Sequence, residues 1–248
     1  MFSNKVNIGP HDKWNPWVGC YKVSPACKNC FINYLNSFRY LDRPIPKVSF
    51  GNVIITCLDS DFFLKEADEY REKAWRDIKE HSENIFLIIT KRVERIKDHL
   101  PSDWGEGYPN VILAVTVETQ ELIEYRLSIF RDIPAKHKWL SCSPLIEPLN
   151  LEKYLKEGWI ECVEACGEMG PMDVVRPTYY EWVEDLSNQC KKYNIRFMLM
   201  KIGLNFIQNN LRRSEAATCY HSPKADALNL DVAIPITFDL NNKLFILN

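Results

Sequence analysis

The segment from Asn84 to Arg92, NIFLIITKR, contains a short apolar run that is followed by two cations. The run is rich in β-branched and aromatic residues, so it predicts a buried β-strand. Similar runs lie at residues 52–57, 110–117, 138–142, 159–165 and 196–201. Segments with helical periodicity, such as residues 63–78, separate them. The chain thus alternates strand and helix, which is typical of parallel strands joined by right-handed crossovers.

The predicted fold class is α/β, with the strands forming a partial or closed parallel (β/α) barrel. An additional strand near Trp17 to Cys20 would be the first strand of this barrel. We expect a single domain over residues 1–248, whose parts are a loop and helix start at 13–31, the barrel at 32–211 and a C-terminal extension at 212–248. The pair Asn241-Asn242 predicts a hairpin in the extension, which caps either the barrel bottom or an open edge.

Composition excludes several classes of protein. The 248 residues are 46% hydrophobic and 26% charged, which is the composition of a folded globular protein and not of an intrinsically disordered one. Lys and Arg number 31 against 33 Asp and Glu, which gives no general attraction to nucleic acid or membrane. No apolar run approaches the length of a membrane span, and the first ten residues carry no apolar secretion segment. With nine cysteines, an odd number, we expect a reducing cytoplasm.

Polar residues follow most of the predicted strands, where active sites lie in folds of this class. These residues are Asp59, Ser60 and Asp61; Lys91 and Arg92; Glu118 and Thr119; Ser143, Pro144 and Glu147; Cys166, Gly167, Glu168 and Gly170; and Lys201. For Asp61 and Thr119 the favoured interpretation is a helix cap or turn residue.

The most informative segment is an N-terminal loop with the spacing C-x6-C-x2-C, formed by Cys20, Cys27 and Cys30. Neighbouring proline and glycine residues predict an irregular loop, with a helix that begins near Cys27 and runs through Phe38. Such a loop is a poor place to bury three unrelated thiols, so we interpret the cysteines as metal ligands.

Two kinds of metal centre fit this spacing. A structural zinc site needs a fourth ligand, for which His11, Cys57 and His221 are candidates. A four-iron cluster held by three cysteines instead leaves one iron open to a small molecule. The residues alone leave both alternatives open.

The block WNPWVGCYKVSPACKNC at residues 14–30 resembles the opening signature of the phage-associated three-cysteine-motif family of radical-SAM-like proteins. Four later blocks are similar to that family's T-K-R-x-x-R, V-S-V-E, S-C-E-P-L-L-x-P and G-E-S-G, namely residues 90–95, 115–118, 141–148 and 167–170. The resemblance covers residues 13–205. It departs at Ser143, where the family has glutamate, at Cys166, where it has glycine, and after Lys201, where a tryptophan is lost. These departures favour a different substrate.

The resemblance implies a radical-SAM-type barrel with a [4Fe–4S] cluster on Cys20, Cys27 and Cys30. Its open iron would bind the amino and carboxylate groups of S-adenosylmethionine, and reductive cleavage would give a 5′-deoxyadenosyl radical. The expected partners are an electron donor such as a flavodoxin or ferredoxin and a nucleic-acid or nucleotide substrate. Phage association and the basic group at residues 91–97 suggest that substrate class.

Eight rim residues are candidates for contacting S-adenosylmethionine: Lys91, Arg92, Glu118, Ser141, Ser143, Gly167, Glu168 and Lys201. The cations suit a carboxylate or phosphate, and the carboxylates suit ribose hydroxyls or an amino group. A solvated helix start for Lys91 and Arg92, strand-end caps for the serines and a plain turn for the glycine are the alternatives. No catalytic residue is identified.

Five further side chains are placed near the predicted centre. Cys57, Cys142 and Cys166 lie near strand ends, where a thiol would face the radical or serve as a small buried hydrophobe. Trp14 and Trp17 are expected to pack around the cluster.

The alternative function is a non-catalytic zinc- or iron–sulfur-binding module that serves as a partner-interaction protein. A hydrolase is disfavoured, because the chain has no nucleophile elbow, P-loop or H-E-x-x-H pattern and its five histidines are scattered.

Overall fold

The computed structural model describes residues 13–30, 32, 37–49, 51–215 and 222–247. Its strands are β1 (Lys13–Trp14), β2 (Trp17–Val18), β3 (Arg39–Tyr40), β4 (Val53–Thr56), β5 (Ile85–Thr90), β6 (Val111–Thr116), β7 (His137–Cys142), β8 (Cys162–Cys166), β9 (Thr178–Tyr179), β10 (Arg196–Lys201), β11 (Phe206–Gln208), β12 (Leu211–Arg213), β13 (Ile236–Leu240) and β14 (Lys243–Leu247). Its α-helices are α1 (Asp68–Glu80), α2 (Val93–Ile96), α3 (Gln120–Phe130), α4 (Glu152–Leu155), α5 (Tyr180–Lys192) and α6 (Pro223–Asp226), with 3₁₀ turns at Pro25–Asn29, Lys65–Ala67 and Lys97–His99.

Seven parallel strands form one sheet in the order β1-β4-β5-β6-β7-β8-β10, curled into a half-barrel. This confirms the predicted α/β class with a partial barrel. In the described residues the barrel is not closed, because β1 and β10 are the two edges of the sheet. Two short sheets, β12-β11-β9 and β2-β3, lie outside it.

The first barrel strand differs from the prediction. The strand expected near Trp17 to Cys20 is instead β1, which pairs in parallel with β4, while β2 pairs antiparallel with β3. Pro16 explains the shift, because proline has no N–H to donate to a ladder and separates the two strands. The other six predicted strands all have counterparts in the sheet.

The helices follow the strands along the outer face of the sheet. Thr119 caps α3 by accepting a hydrogen bond from the Leu122 N–H, as predicted. The helix predicted from Cys27 is wrong at its start, because a 3₁₀ turn ends at Asn29 and Cys30 has an extended backbone. The rest of that prediction lies mostly outside the described residues. No helix in the described ranges is long and apolar enough to cross a membrane.

Side-chain alternation along the strands builds two cores. On β6, Leu113 and Val115 pack outward among the helices, whereas Ile112 and Ala114 point to the inside of the half-barrel. The same alternation places Trp139 inside and Cys142 outside. A buried parallel strand therefore carries apolar residues on both faces.

The C-terminal hairpin β13-β14 plugs the half-barrel at the amino ends of its strands. The Phe238 ring lies 4.1 Å from the His137 ring at the start of β7. The Arg196 guanidinium, at the start of β10, donates to the carbonyls of Ile234 and Leu247 at 3.0 and 3.3 Å. The predicted hairpin is therefore present, and it caps the barrel bottom.

Replacing Phe238 with alanine should reduce the free energy of unfolding by about 3–5 kcal/mol, because a fully buried aromatic leaves a cavity in the plug. Leu244→Ala is the control on the same hairpin, since Leu244 is 73% exposed; its change should stay within about 0.5 kcal/mol. Urea titration of both variants tests this. Equal losses would show that the hairpin does not anchor in the barrel.

Candidate functional site

A cavity of about 350 Å³ opens at the carboxyl ends of the parallel strands, opposite the hairpin plug. Cys20, Cys27 and Cys30 all line it. Ile55 and Met200 contribute apolar wall. The three cysteines and the strand ends thus surround one space, as expected for the active-site end of a parallel barrel.

Seven of the eight predicted contact residues line this cavity: Lys91, Arg92, Ser141, Ser143, Gly167, Glu168 and Lys201. The eighth, Glu118, lies directly behind Lys91, whose ammonium contacts its carboxylate at 2.7 Å. The residues chosen from strand ends therefore do lie around one cavity, and their contact with a ligand stays a prediction.

The start of the cysteine loop is fastened to the segment after β4. The Gly19 N–H donates to the Asp59 carbonyl at 3.1 Å, and the Ser60 hydroxyl donates to the Gly19 carbonyl. Gly19 has a φ of +90°, and a β-carbon there would lie 2.4 Å from the Ser37 carbonyl oxygen. This close approach requires glycine.

Arg92 joins the same segment to the first cysteine. Its guanidinium forms an ion pair with the buried Asp61 at 2.9 Å and donates to the Tyr21 carbonyl at 2.8 Å. It also lies 3.5 Å from the Cys20 sulfur, as a hydrogen-bond donor. The solvated alternative for Arg92 is wrong, because the side chain is buried. Asp61, which also accepts from the Phe63 N–H, is both a turn residue and an ion-pair partner.

Glu118 holds the middle of the loop. Its carboxylate is fully buried and accepts from the Ser24 hydroxyl at 3.0 Å, next to the ion pairs with Lys91 and Arg126 at 2.7 Å each. Burial alone would raise the pKa of Glu118, but Lys91 and Arg126 outweigh it and keep that pKa below its usual value. Ser24 lies between the first two cysteines, so Glu118 positions their loop.

Glu168 holds the end of the loop in the same way. It accepts from the Asn29 side-chain amide at 3.1 Å and from the Arg176 backbone N–H at 2.6 Å, and it forms an ion pair with the Arg176 guanidinium. That guanidinium also donates to the carbonyls of Pro25 and Ala26. Burial would raise the pKa of Glu168, but Arg176 and Asn29 lower it below its usual value.

Together Asp61, Glu118 and Glu168 form what we call the carboxylate clamp. They follow β4, β6 and β8. Glu118 and Glu168 accept directly from the loop, from Ser24 and Asn29, whereas Asp61 acts through Arg92, which donates to the Tyr21 carbonyl. Because the pKa values of Glu118 and Glu168 are lower in the folded protein, their stabilisation is complete above about pH 4.3 and is lost as the pH falls further. The clamp is therefore intact at neutral pH.

The clamp changes how the predicted contact residues are interpreted. Glu118 and Glu168, expected to accept from the cofactor, already accept several bonds from the protein. Lys91 is likewise bound to Glu118 and, at 3.1 Å, to the Ser143 carbonyl. Ser141 already donates to Glu164, and the Gly167 N–H donates to the Lys201 carbonyl. The Lys201 ammonium is the cavity cation that makes no ion pair within the described residues.

The structure separates the three further cysteines. Cys57 and Cys166 line the cavity, whereas Cys142 packs in the outer core. Burial raises the pKa of Cys166 to about 11 although Lys201 lowers it. Burial also raises the pKa of Cys20 to about 11, which Arg92 partly offsets. Both thiols are protonated at neutral pH.

The two tryptophans near the start of the cysteine loop pack behind it, in the outer core. Trp14 and Trp17 are fully buried in the outer core and do not line the cavity. The Trp17 indole N–H donates to the Asp61 carbonyl at 3.2 Å. They pack behind the loop, and their packing around a cluster stays a prediction.

Glu164 is a cavity residue that reasoning from strand ends missed. It lies in the middle of β8, faces the cavity and accepts from the Ser141 hydroxyl at 2.7 Å. Its carboxylate is nearly fully buried. A signal was present, because an ionisable residue inside a buried apolar strand is rare without a specific purpose.

The three-cysteine set suits a thiolate-bound centre in its chemistry. Thiolates are ligands for zinc and for iron–sulfur clusters, and all three sulfur-bearing residues face one cavity. Among the described residues, no three Cys, His, Asp or Glu side chains are already gathered as a metal site. Of the proposed fourth zinc ligands, Cys57 lines this cavity, and His11 and His221 lie outside the described residues.

These features define an α/β half-barrel protein with a cysteine-lined cavity at the carboxyl ends of its strands. Residues 40–222 match the family described as "Protein of unknown function (DUF5131)", and the chain belongs to that family. The match includes β4 to β12 and all eight rim candidates, and it begins after the three cysteines. No curated protein and no solved structure matches the chain.

Glu118→Gln should lower the free energy of unfolding by about 3 kcal/mol, because it leaves Lys91 and Arg126 buried without their counter-ion. It should also speed hydrogen–deuterium exchange in residues 18–30. Glu124→Gln is the matched control, since Glu124 pairs with Lys153 on the surface and such pairs contribute little. An unchanged loop in Glu118→Gln would argue against the clamp.

Alkylation of Cys166 by iodoacetamide should be slow at pH 7.5 and rise about tenfold per pH unit up to pH 10, because its thiol has a pKa of about 11. Peptide mass spectrometry measures the rate, with glutathione as the reference thiol. A Cys166 rate that levels off below pH 9 would contradict the raised pKa.

Proposed function

We propose that the protein is a radical S-adenosylmethionine enzyme with a radical-SAM-type barrel, in which Cys20, Cys27 and Cys30 hold a [4Fe–4S] cluster. The observation that carries this proposal is that all three cysteines line one cavity at the carboxyl ends of a parallel half-barrel. When bound, such a cluster supplies the electron that cleaves S-adenosylmethionine to methionine and a 5′-deoxyadenosyl radical. The protein contributes orientation and exclusion of water.

The cavity wall supports chemistry that must be kept from solvent. Ile55, Ile89 and Met200 give it apolar surface, and the hairpin plug closes the opposite end of the half-barrel. A reactive intermediate formed here would meet few side reactions with water.

The carboxylate clamp would fix the three thiols relative to the strand ends. Metal-bound thiols must lose their protons, and the Arg92 guanidinium beside the Cys20 sulfur favours the charged form. Ser141, Ser143, Gly167 and Lys201 line the rest of the cavity and are the groups we assign to ligand contact.

We propose an electron-transfer protein, such as a flavodoxin or ferredoxin, as the partner and the cytoplasm as the location. Exposed Lys22 and Lys28 on the cysteine loop favour an acidic donor.

We propose a narrower substrate class than the nucleic acid or nucleotide expected from the sequence. Three of the four cations in the basic group, Lys91, Arg92 and Arg95, pair with Glu118, Asp61 and Asp68. Lys97 is exposed, and one exposed lysine does not favour an open nucleic-acid surface. We therefore favour a nucleotide-sized substrate over a polymer.

One observation favours a second candidate, a zinc- or iron–sulfur-binding interaction module without catalysis. Cys57 lines the same cavity as Cys20, Cys27 and Cys30, which gives four cysteines for a closed tetrahedral site. This candidate predicts that Cys57 is needed to retain the metal, whereas the enzyme does not need it.

Protein purified without oxygen should contain about four irons per chain, with matching sulfide and no zinc. Its electron paramagnetic resonance spectrum after reduction should change when S-adenosylmethionine is added, and 5′-deoxyadenosine should form. Cys27→Ala should lose the iron, whereas Cys142→Ala, a buried cysteine of the outer core, should keep it.

Two results would decide against the enzyme. Stoichiometric zinc that disappears in Cys57→Ala would establish the closed site of the second candidate. An iron cluster whose spectrum ignores S-adenosylmethionine, with no 5′-deoxyadenosine under any reductant, would remove the catalytic proposal.

A further inference from the structure

We propose that Lys201 and Glu164 form a substrate subsite on the β8–β10 side of the cavity. The ligand is a small molecule that carries an anionic oxygen group, phosphate or carboxylate, together with a hydrogen-bond donor. The assignment to substrate rests on the proposed function, in which S-adenosylmethionine occupies the open iron.

The charges around the cavity single out Lys201. Three of the four cations that line it have carboxylate partners: Lys13 with Asp59 at 3.8 Å, Lys91 with Glu118 at 2.7 Å and Arg92 with Asp61 at 2.9 Å. Within the described ranges, the Lys201 ammonium makes no ion pair. A half-buried ammonium without a counter-ion is unfavourable, and an anionic ligand would supply one.

The backbone directs Lys201 to the cavity. Its register partner is Cys166, and the pairing of β10 with β8 is irregular between Leu199 and Lys201. Such irregularities re-aim side chains, and here both Met200 and Lys201 line the cavity. The Gly167 N–H fixes the position further by donating to the Lys201 carbonyl at 2.9 Å.

Glu164 supplies the second contact. It lies two residues before Cys166, on the same face of β8, and its carboxylate accepts from the Ser141 hydroxyl. A carboxyl oxygen of Glu164 that faces the cavity can accept a hydrogen bond from an amine, an amide N–H or a hydroxyl of the ligand. An anion beside such a donor is the chemistry of a nucleotide.

The cofactor does not account for this subsite in the proposed function. The carboxylate and amino groups of S-adenosylmethionine would both be bound at the open iron of the cysteine-held cluster. The positive charge of Lys201 is then left for another molecule.

The experiment measures how fast Lys201 is dimethylated by formaldehyde and borohydride, by peptide mass spectrometry at constant ionic strength. The probes are inorganic phosphate, acetate and adenosine 5′-monophosphate, on the cluster-loaded protein with S-adenosylmethionine present. Phosphate or acetate should slow Lys201 at least fivefold, and the more effective anion identifies the group. The exposed Lys136 is the control and should not change.

Two variants test the same subsite, Lys201→Met by melting temperature and Glu164→Gln by the labelling rate of Lys201. Lys201→Met should abolish the rise in melting temperature that the protecting anion causes, whereas Lys136→Met should keep it. Glu164→Gln should retain protection by the simple anion but need at least tenfold more adenosine 5′-monophosphate for half-protection. Equal protection of Glu164→Gln and the unmodified protein by that nucleotide would remove Glu164 from the subsite.

The outcomes separate this inference from the proposed function. Absence of protection by any probe, in protein that does form 5′-deoxyadenosine, would overturn the subsite alone. Full protection by S-adenosylmethionine without any anion would assign Lys201 to the cofactor and overturn it as well. Protection by anions in protein that never assembles a cluster would support the anion site and count against the radical enzyme.

Discussion

The site depends on three buried carboxylates that hold one irregular loop. A loop with little regular structure gains few backbone hydrogen bonds of its own, so its shape must come from tertiary contacts. Glu118 and Glu168 bond the loop directly, at Ser24 and Asn29, and Asp61 holds it through Arg92. Each carboxylate pairs with an arginine or lysine that neutralises its charge. Removing one member of such a buried pair costs about 3–5 kcal/mol, so the loop has one strongly preferred position.

The hairpin stabilises one end of the half-barrel, and the clamp positions the cysteine loop at the other end, where the cavity lies. At the amino ends of the strands, Phe238 and its neighbours fill the interior, and Arg196 bonds their backbone. At the carboxyl ends the interior is not filled, and the space becomes the cavity. The plug buries apolar surface at one end of the half-barrel without using the cysteine loop. The open end can therefore carry charged and polar groups, which are rare in an apolar core.

The sequence predicted the strands and the rim because both follow from local patterns. Apolar runs and their spacing define a parallel sheet, and strand ends of parallel neighbours meet at one edge. The clamp could not be predicted from the sequence, because its partners are far apart along the chain. Ser24 and Glu118 are separated by 94 residues, and Asn29 and Glu168 by 139. Tertiary bonds to Asn29 also explain the short turn where a helix was predicted.

Besides the long-range contacts of the clamp, the sequence does not show which charged side chains pair with one another. Lys91, Arg92 and Lys201 look alike as cations after strands, yet only the structure shows that the first two are neutralised. The basic group at residues 91–97 therefore carries less free charge than its sequence suggests. What matters to a ligand is the charge that remains after the protein has paired its own groups.

Two positions that depart from the resembled family line the cavity together with Lys201, the cation without an ion pair in the described residues. Ser143 and Cys166 replace a glutamate and a glycine; both line the cavity with Lys201, and the Cys166 thiol donates to the Gly167 carbonyl. A glutamate at position 143 would bring a carboxylate to the neighbourhood of that ammonium. Within the described residues serine leaves that ammonium without an ion pair, and cysteine adds a thiol, so the cavity surface differs from the one that the family pattern implies. Glu118 and Glu168, which hold the loop, match the pattern of the resembled family, so the departures concern the cavity and not the contacts that hold the loop.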